Sequence, residues 1–165
     1  GMALRFSVLD AGQAGFSPAE LFDSIDDDVL ALYAAIFDPD TNELREGLAE
    51  PGAGDDVLYL QSIKIVPERR RQKLGLIAAQ RLRLYFGAGC SVMALKAHPL
   101  RFDSEHYEAI DDHVFAEPFA TGGVDARAKL GAYWSQLGFE RVADTDYMVF
   151  DMTRRARIIP GPHRD

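Results

Sequence analysis

Ile63-Lys64-Ile65-Val66-Pro67-Glu68-Arg69-Arg70-Arg71-Gln72-Lys73-Leu74-Gly75-Leu76 changes character twice along its length. Its first residues close an apolar run, Val57 to Val66, that reads as a central strand. Pro67 has no N–H to give a ladder and ends it. From Leu74 the apolar residues Leu74, Ile77, Ala78, Leu82 and Tyr85 recur at helical spacing, so a helix is expected over Leu74 to Phe86. Gly87 and Gly89 stop it. The turn between strand and helix carries Arg69, Arg70, Arg71 and Lys73. A helix start leaves its first amides without intrahelical acceptors and places the positive end of the dipole there. Strand, basic turn and helix together make a ready anion site, with Gly75 letting a phosphate approach the backbone closely. Equally, such a turn offsets the charge of an acidic protein, so a second motif has to decide.

Working outward toward the N-terminus, Leu4, Phe6 and Val8 alternate with Ala3, Arg5 and Ser7, which predicts a strand from Ala3 to Leu9. Gly12 and Gly15 break it. Ser17-Pro18-Ala19-Glu20 is a helix start with the elements of a capping box, and Leu21, Phe22 and Ile25 give that helix its buried face, with Asp26 to Asp28 ending it. Val29 to Phe37 is continuously apolar, so periodicity does not separate helix from strand. The turn residues Asp38-Pro39-Asp40-Thr41-Asn42 that follow favour a strand, with a weak partner near Glu43 to Leu48. Pro51-Gly52-Ala53-Gly54 is a loop tip. Beyond the central helix, Ser91 to Ala97 is a strand ending at His98-Pro99, residues 100–125 are irregular and rich in carboxylates, and a helix from Ala126 to Leu137 stops at Gly138. Strands at Phe139 to Val142 and Tyr147 to Met152 follow, and the tail from Arg154 to Asp165 is expected to be mobile. One α/β or α+β domain over residues 3–153 accounts for this pattern.

The second motif is Ala132-Tyr133-Trp134-Ser135-Gln136-Leu137-Gly138-Phe139-Glu140, a helix closed by glycine that sends an aromatic residue into the next strand. The two stretches, in this order, resemble the signatures of the GNAT superfamily of acetyl-CoA-dependent N-acetyltransferases. Its pyrophosphate motif, Arg/Gln-x-x-Gly-x-Gly/Ala, is similar to Arg70-x-x-Lys73-x-Gly75. Its later motif, aromatic-Tyr-x-x-Leu-Gly-Phe, is similar to Tyr133-Trp134 through Leu137-Gly138-Phe139. The resemblance covers Leu4 to Met152. It implies a mixed, mostly antiparallel central sheet flanked by helices, splayed between two central parallel strands. It implies direct transfer of an acetyl group from acetyl-CoA to an amine of a small molecule or protein. Arg71, Gln72, Lys73, Leu74, Gly75 and Leu76, beside Arg70, would hold the pyrophosphate through backbone amides. Ile63, Lys64 and Ile65 would line the pantetheine, and Trp134 would also belong to the cofactor-binding set.

Two positions depart from the family pattern. Lys73 stands where the first glycine is usual, and Trp134 stands where many members carry the tyrosine that protonates the departing thiolate. An indole N–H is no proton donor near neutral pH. Tyr133 or a water is left as the donor. An acyl-CoA-binding sensor or interaction module without catalysis is the alternative that Trp134 favours.

The base that frees the amine is not identified by the sequence. Gln61-Ser62-Ile63-Lys64 lacks the glutamate that many members place on the central strand. Asp55 and Asp56 are candidates, as are Asp103, Glu105, His106, Glu108, Asp111, Asp112, His113 and Glu117 in the carboxylate-rich segment. His106, His113 and Asp111 also form a possible metal set, although their spacing matches no known ligand pattern, and no metal is expected. His98 is either a structural histidine or part of a substrate cleft at the strand end.

Composition bounds these readings. The 165 residues, with 14 Gly, 8 Pro and a single Cys90, exclude collagenous and disulfide-scaffold classes. Net charge is −8, which argues against nucleic acid as a partner. Residues 1–60 hold 13 acidic and 2 basic side chains, whereas residues 61–165 hold 13 and 16. An acidic front half suits a cationic amine acceptor and a basic back half an anionic cosubstrate. No apolar run is long enough to span a membrane and no signal peptide is visible, so a cytoplasmic protein is expected, with a homodimer left open. Gly1 ahead of Met2 reads as a remnant of tag removal.

Overall fold

Ser17 opens α2 (Pro18–Asp23) as its sequence dictates: Glu20 N–H donates to Ser17 Oγ at 3.2 Å, and Ser17 N–H donates to Glu20 Oε2 at 2.7 Å. The reciprocal bonds satisfy two amides that would otherwise lack partners, and they hold the Glu20 carboxyl below its ordinary pKa. The computed structural model describes residues 1–50, 56–98, 123–154 and 158–160. Strands β1 (Met2–Phe6), β2 (Asp56–Ser62), β3 (Cys90–Lys96), β4 (Glu140–Arg141) and β5 (Tyr147–Asp151) form one sheet in the order β1-β2-β3-β5-β4. β2 and β3 are parallel because α4 (Leu74–Phe86) carries the chain back between them, and every other pairing is antiparallel. The fold is therefore mixed α+β, compatible with the α/β expectation.

The sheet separates two cores. Val57 and Tyr59 of β2, Val92 and Ala94 of β3 and Tyr147 and Val149 of β5 face α2 and α3 (Asp27–Ile36), where Phe22, Leu32 and Phe37 are fully buried. Leu58, Leu60, Met93, Leu95, Met148 and Phe150 face α4 and α5 (Gly123–Ser135). Strand alternation produces both faces. β2 and β3 stay paired only as far as Leu60 opposite Leu95. Past that point Ser62 pairs with Met2 of β1 and Lys96 with Tyr147 of β5, so the two central strands part company.

Several expectations need correction. Residues 29–37 are not a strand: Asp27–Ile36 is α3, and Phe37 makes only an isolated bridge to Leu44. Asp26 caps this helix by accepting from Val29 N–H at 2.8 Å, and Asp27 and Asp28 complement its dipole. Val29, Leu32, Tyr33 and Ile36 then bury one face. The first strand stops at Phe6, and Gly12 lies inside a short helix α1 (Val8–Gln13) rather than breaking a strand. Ile25 is exposed. β2 ends at Ser62 instead of Val66. In α4 the buried residues are Gly75, Leu76 and Ala79, while Tyr85 is exposed, so the inward stripe is rotated by about one residue from the expected one. α5 begins at Gly123, ahead of Ala126. The described part of the tail is docked: Ile159 packs on the α4 side and its N–H donates to Gln80 Oε1 at 3.0 Å. Loop 51–54 and the segment holding Asp103 to Glu117 lie outside the described residues. No helix among the described residues is long and apolar enough to cross a membrane.

Candidate functional site

A cavity of about 530 Å³ opens where β2 and β3 diverge. Gln61 and Lys96 line it from the α3 face of the sheet, Leu60 and Leu95 from the other, so the opening runs through the sheet. Ile63, Lys64 and Ile65, which extend β2 without belonging to it, form one wall. The basic turn and the start of α4 form the next, with Arg69, Arg70, Arg71, Lys73, Leu74 and Gly75. Tyr133, Trp134 and Lys129 of α5 close the third, and His98 borders it beyond β3. Its volume lies within the roughly 300–1,000 Å³ common for small-molecule sites.

The turn before α4 is locally strained in an informative way. Pro67–Arg69 is a single 3₁₀ turn, and Arg70 Nε donates to Ile65 O at 3.1 Å, tying the turn to the wall formed by residues 63–65. Arg71 (φ 61°) and Lys73 (φ 56°) both adopt left-handed backbone. That conformation favours glycine, which explains why the similar motif has glycine where Lys73 stands. Lys73 is the residue from which α4 starts, and no side chain caps it. The amides at the open end of α4 therefore lie on the cavity wall, surrounded by guanidinium and ammonium groups.

Tyr133 reaches across to this helix end. Leu76 N–H donates to Tyr133 Oη at 3.1 Å. Burial pushes the phenol above its ordinary pKa, while the N–H dipoles of Leu76 and Gly75 pull it partly back. Because the oxygen accepts from the amide, its own hydrogen remains available to the cavity. Trp134 packs edge-on against Tyr133 (5.1 Å between ring centres) and against Phe139 (6.1 Å), and is largely buried. Both aromatic residues reach the cavity, Tyr133 with the hydroxyl that Trp134 lacks.

The comparison with known proteins is brief. No family model, no curated protein and no solved structure matches this chain.

Of the expected cofactor-binding residues, Ile63, Lys64, Ile65, Arg70, Arg71, Lys73, Leu74, Gly75 and Trp134 line one cavity with Tyr133. Gln72 does not line it, and the Leu76 side chain is fully buried with its amide already bound to Tyr133. The space at Gly75 is also taken differently from expectation. A Cβ there would lie 2.8 Å from Tyr133 Oη, so glycine is needed for the phenol to approach. Asp56 is removed from the list of bases: it begins β2, at the end away from the cavity, where Arg5 binds it at 2.6 and 3.0 Å. Asp55 and the carboxylates from Asp103 to Glu117, with His106 and His113, fall outside the described residues. Sequence reasoning missed Lys96, Lys129 and Gln61. Gln61 Nε2 donates to Asp26 Oδ2 at 3.0 Å and Lys96 Nζ to Asp28 Oδ1 at 2.6 Å, so the acidic start of α3 rims the far mouth.

Proposed function

We propose that the protein is an acetyl-CoA-dependent N-acetyltransferase of GNAT-like architecture, transferring acetyl directly to a primary amine. The observation that carries this reading is the opening between two parallel strands that leads onto the first turn of a helix set among arginines. The amides and cations suit a diphosphate, and the apolar cleft between the strands suits an extended arm with a reactive thioester at its end. On this reading, amides at the start of α4, with Arg70, Arg71 and Lys73, hold the phosphates, and Ile63 to Ile65 lie along the arm. Bound acetyl-CoA supplies an activated acyl group. The chain's own contribution is position: amine and acyl carbon meet in the strand gap, the far mouth admitting the acceptor. Tyr133 is the proton donor to the sulfur, kept protonated by its burial.

The alternative, a sensor that binds acyl-CoA without turnover, rests on the tryptophan in the tyrosine's place and on the glutamate missing from residues 61–64. Tyr133 weakens it by bringing a hydroxyl to the same wall. Two measurements separate them: stabilisation by CoA in a thermal melt, and thiol release from acetyl-CoA with a panel of amines. Transferase activity requires both. Stabilisation without thiol release supports the sensor, and no stabilisation rejects both.

A further inference from the structure

The cavity presents an imbalance in its chemistry. Its described lining contains Lys64, Arg69, Arg70, Arg71, Lys73, Lys96 and Lys129, and no aspartate or glutamate. An alkylammonium acceptor has to lose a proton before it can attack. Lysine and arginine already hold theirs, and the Tyr133 phenol is pushed away from deprotonation by burial. Histidine is the side-chain type that changes charge between roughly pH 5 and 8, and His98 is the histidine on this wall.

His98 is also held from behind. Its Nδ1 is buried, has no hydrogen-bond partner among the described residues, and lies 3.4 Å from Asp146 Oδ2. Asp146 belongs to the tight turn between β4 and β5, where Thr145 Oγ1 accepts from Tyr147 N–H and donates to Val142 O. The same residue's backbone fixes the two segments together, with Ala97 N–H donating to Asp146 O at 2.8 Å. The carboxylate is shared: Arg127 Nη1 lies 3.3 Å from Oδ2 and Arg141 Nη1 3.6 Å from Oδ1. The 3.4 Å contact is longer than a settled hydrogen bond, and catalytic contacts of this kind tighten when substrate is in place. When that contact tightens, a carboxylate on the Nδ1 side favours the proton on that nitrogen, which makes Nε2 the ring nitrogen able to accept one.

We propose that His98 is the proton acceptor of this site, with Asp146 as the positioning residue that orients and balances its imidazole. The proposal rests on the transferase reading. His98 Nε2 takes one proton from the acceptor R–NH3⁺. The freed nitrogen lone pair forms the C–N bond at the acyl carbon, and the C–S bond breaks with its electron pair on sulfur. The second nitrogen proton passes to that sulfur by way of the Tyr133 hydroxyl or water. The products are amide and free thiol, and the imidazolium returns its proton to solvent.

The charged groups set around His98 in the described residues are Asp146 of the β4–β5 turn, Arg141 of β4, Arg127 and Lys129 of α5, and Lys96 of β3 with its partner Asp28 of α3. Thiol release from acetyl-CoA is followed with spermidine, a lysine-containing peptide and phenylethylamine, across about pH 5 to 9, beside calorimetric titration with CoA. His98→Gln lowers kcat about 100- to 10,000-fold, with CoA affinity unchanged within about twofold. Asp146→Asn takes away the carboxylate that orients the imidazole and lowers kcat at least about 10-fold with KM for the amine unchanged, and Asp146→Glu recovers part of that loss. Should His98→Gln not fold, the two Asp146 variants carry the test. Wild-type rates in His98→Gln at every pH, or an unchanged kcat in Asp146→Asn, overturn the proposal and leave the transferase reading standing. A wild-type protein that binds CoA but releases no thiol with any amine overturns the proposal and leaves the CoA site. Failure of the wild-type protein to bind CoA overturns both.

Discussion

Gly75 and Tyr133 are linked by a contact that can be measured with no ligand present. A methyl group on Gly75 would meet Tyr133 Oη at 2.8 Å, closer than real side chains come, so Gly75→Ala forces the phenol back. The Leu76 N–H then loses its acceptor, at a cost of about 1–3 kcal/mol for a donor left unsatisfied. Against this stands the better helix propensity of alanine, up to about 1 kcal/mol. The net expectation is a destabilisation of about 0–2 kcal/mol. In a Tyr133→Phe background the hydroxyl is gone. The ring atoms Cε1 and Cζ lie 3.5 and 3.6 Å from the added methyl, which is ordinary contact. There Gly75→Ala should stabilise by up to about 1 kcal/mol. Urea unfolding of the four proteins yields the coupling directly, expected at about 1–3 kcal/mol or roughly 2–12 °C in Tm. Additivity within about 0.5 kcal/mol would refute the geometry of Tyr133 at the helix end.

Other expectations follow from the same contacts. Lys73→Gly should stabilise the protein by about 0.5–1 kcal/mol in chemical denaturation, because glycine adopts the left-handed backbone at no steric cost, whereas Lys73→Val should destabilise it. Arg5→Ala leaves Asp56 without its guanidinium and should cost about 1 kcal/mol of stability, while CoA binding is unchanged because the pair lies at the opposite end of β2 from the cavity. Burial pushes the Cys90 thiol above its usual pKa, so an aromatic disulfide reagent should label it only as fast as the protein opens. The buried phenols of Tyr59 and Tyr147 are raised well beyond the usual range, by burial first, then by the carboxylates of Asp28 and Asp26 at Tyr59 and by Tyr59, Asp28, Asp26 and Asp146 at Tyr147. The raised folded-state pKa makes their contribution full below the unfolded value near pH ~10 and lost as pH rises above it, so phenylalanine at either position should flatten the alkaline arm of the stability profile.

Local signals were legible where one residue type does one job. The capping box at Ser17 and Glu20 and Gly87 after α4 marked element ends because each acts through its own backbone or nearest turn. α3 was misread because Val29 to Phe37 is apolar on nearly every position, and a downstream turn was given more weight than the upstream aspartates. Asp26 three residues before Val29, followed by Asp27 and Asp28, was the signal for a capped helix. β2 was drawn too long because Ile63 to Val66 remain strand-like in composition. They leave the sheet through loss of a neighbour, which no local pattern reports.

The candidate site was legible in its backbone part. Arg69 to Arg71 with Lys73 to Gly75, and Tyr133 with Trp134, are two walls of the cavity that the sequence marks, since a basic helix start and a glycine-stopped helix are both written locally. The role of Gly75 was not: only packing shows that Tyr133 fills the space beside it. His98 and Asp146 are brought together by β3 pairing with β5, and neither residue carries a mark of the other in the sequence.

Hydrogen exchange with and without acetyl-CoA tests the central claim most directly. Slowed exchange among the described residues should be confined to 60–76, 95–98 and 129–136, the walls of the opening between β2 and β3, and should saturate at one ligand per chain. Protection at other segments, or identical exchange at saturating ligand, would contradict it.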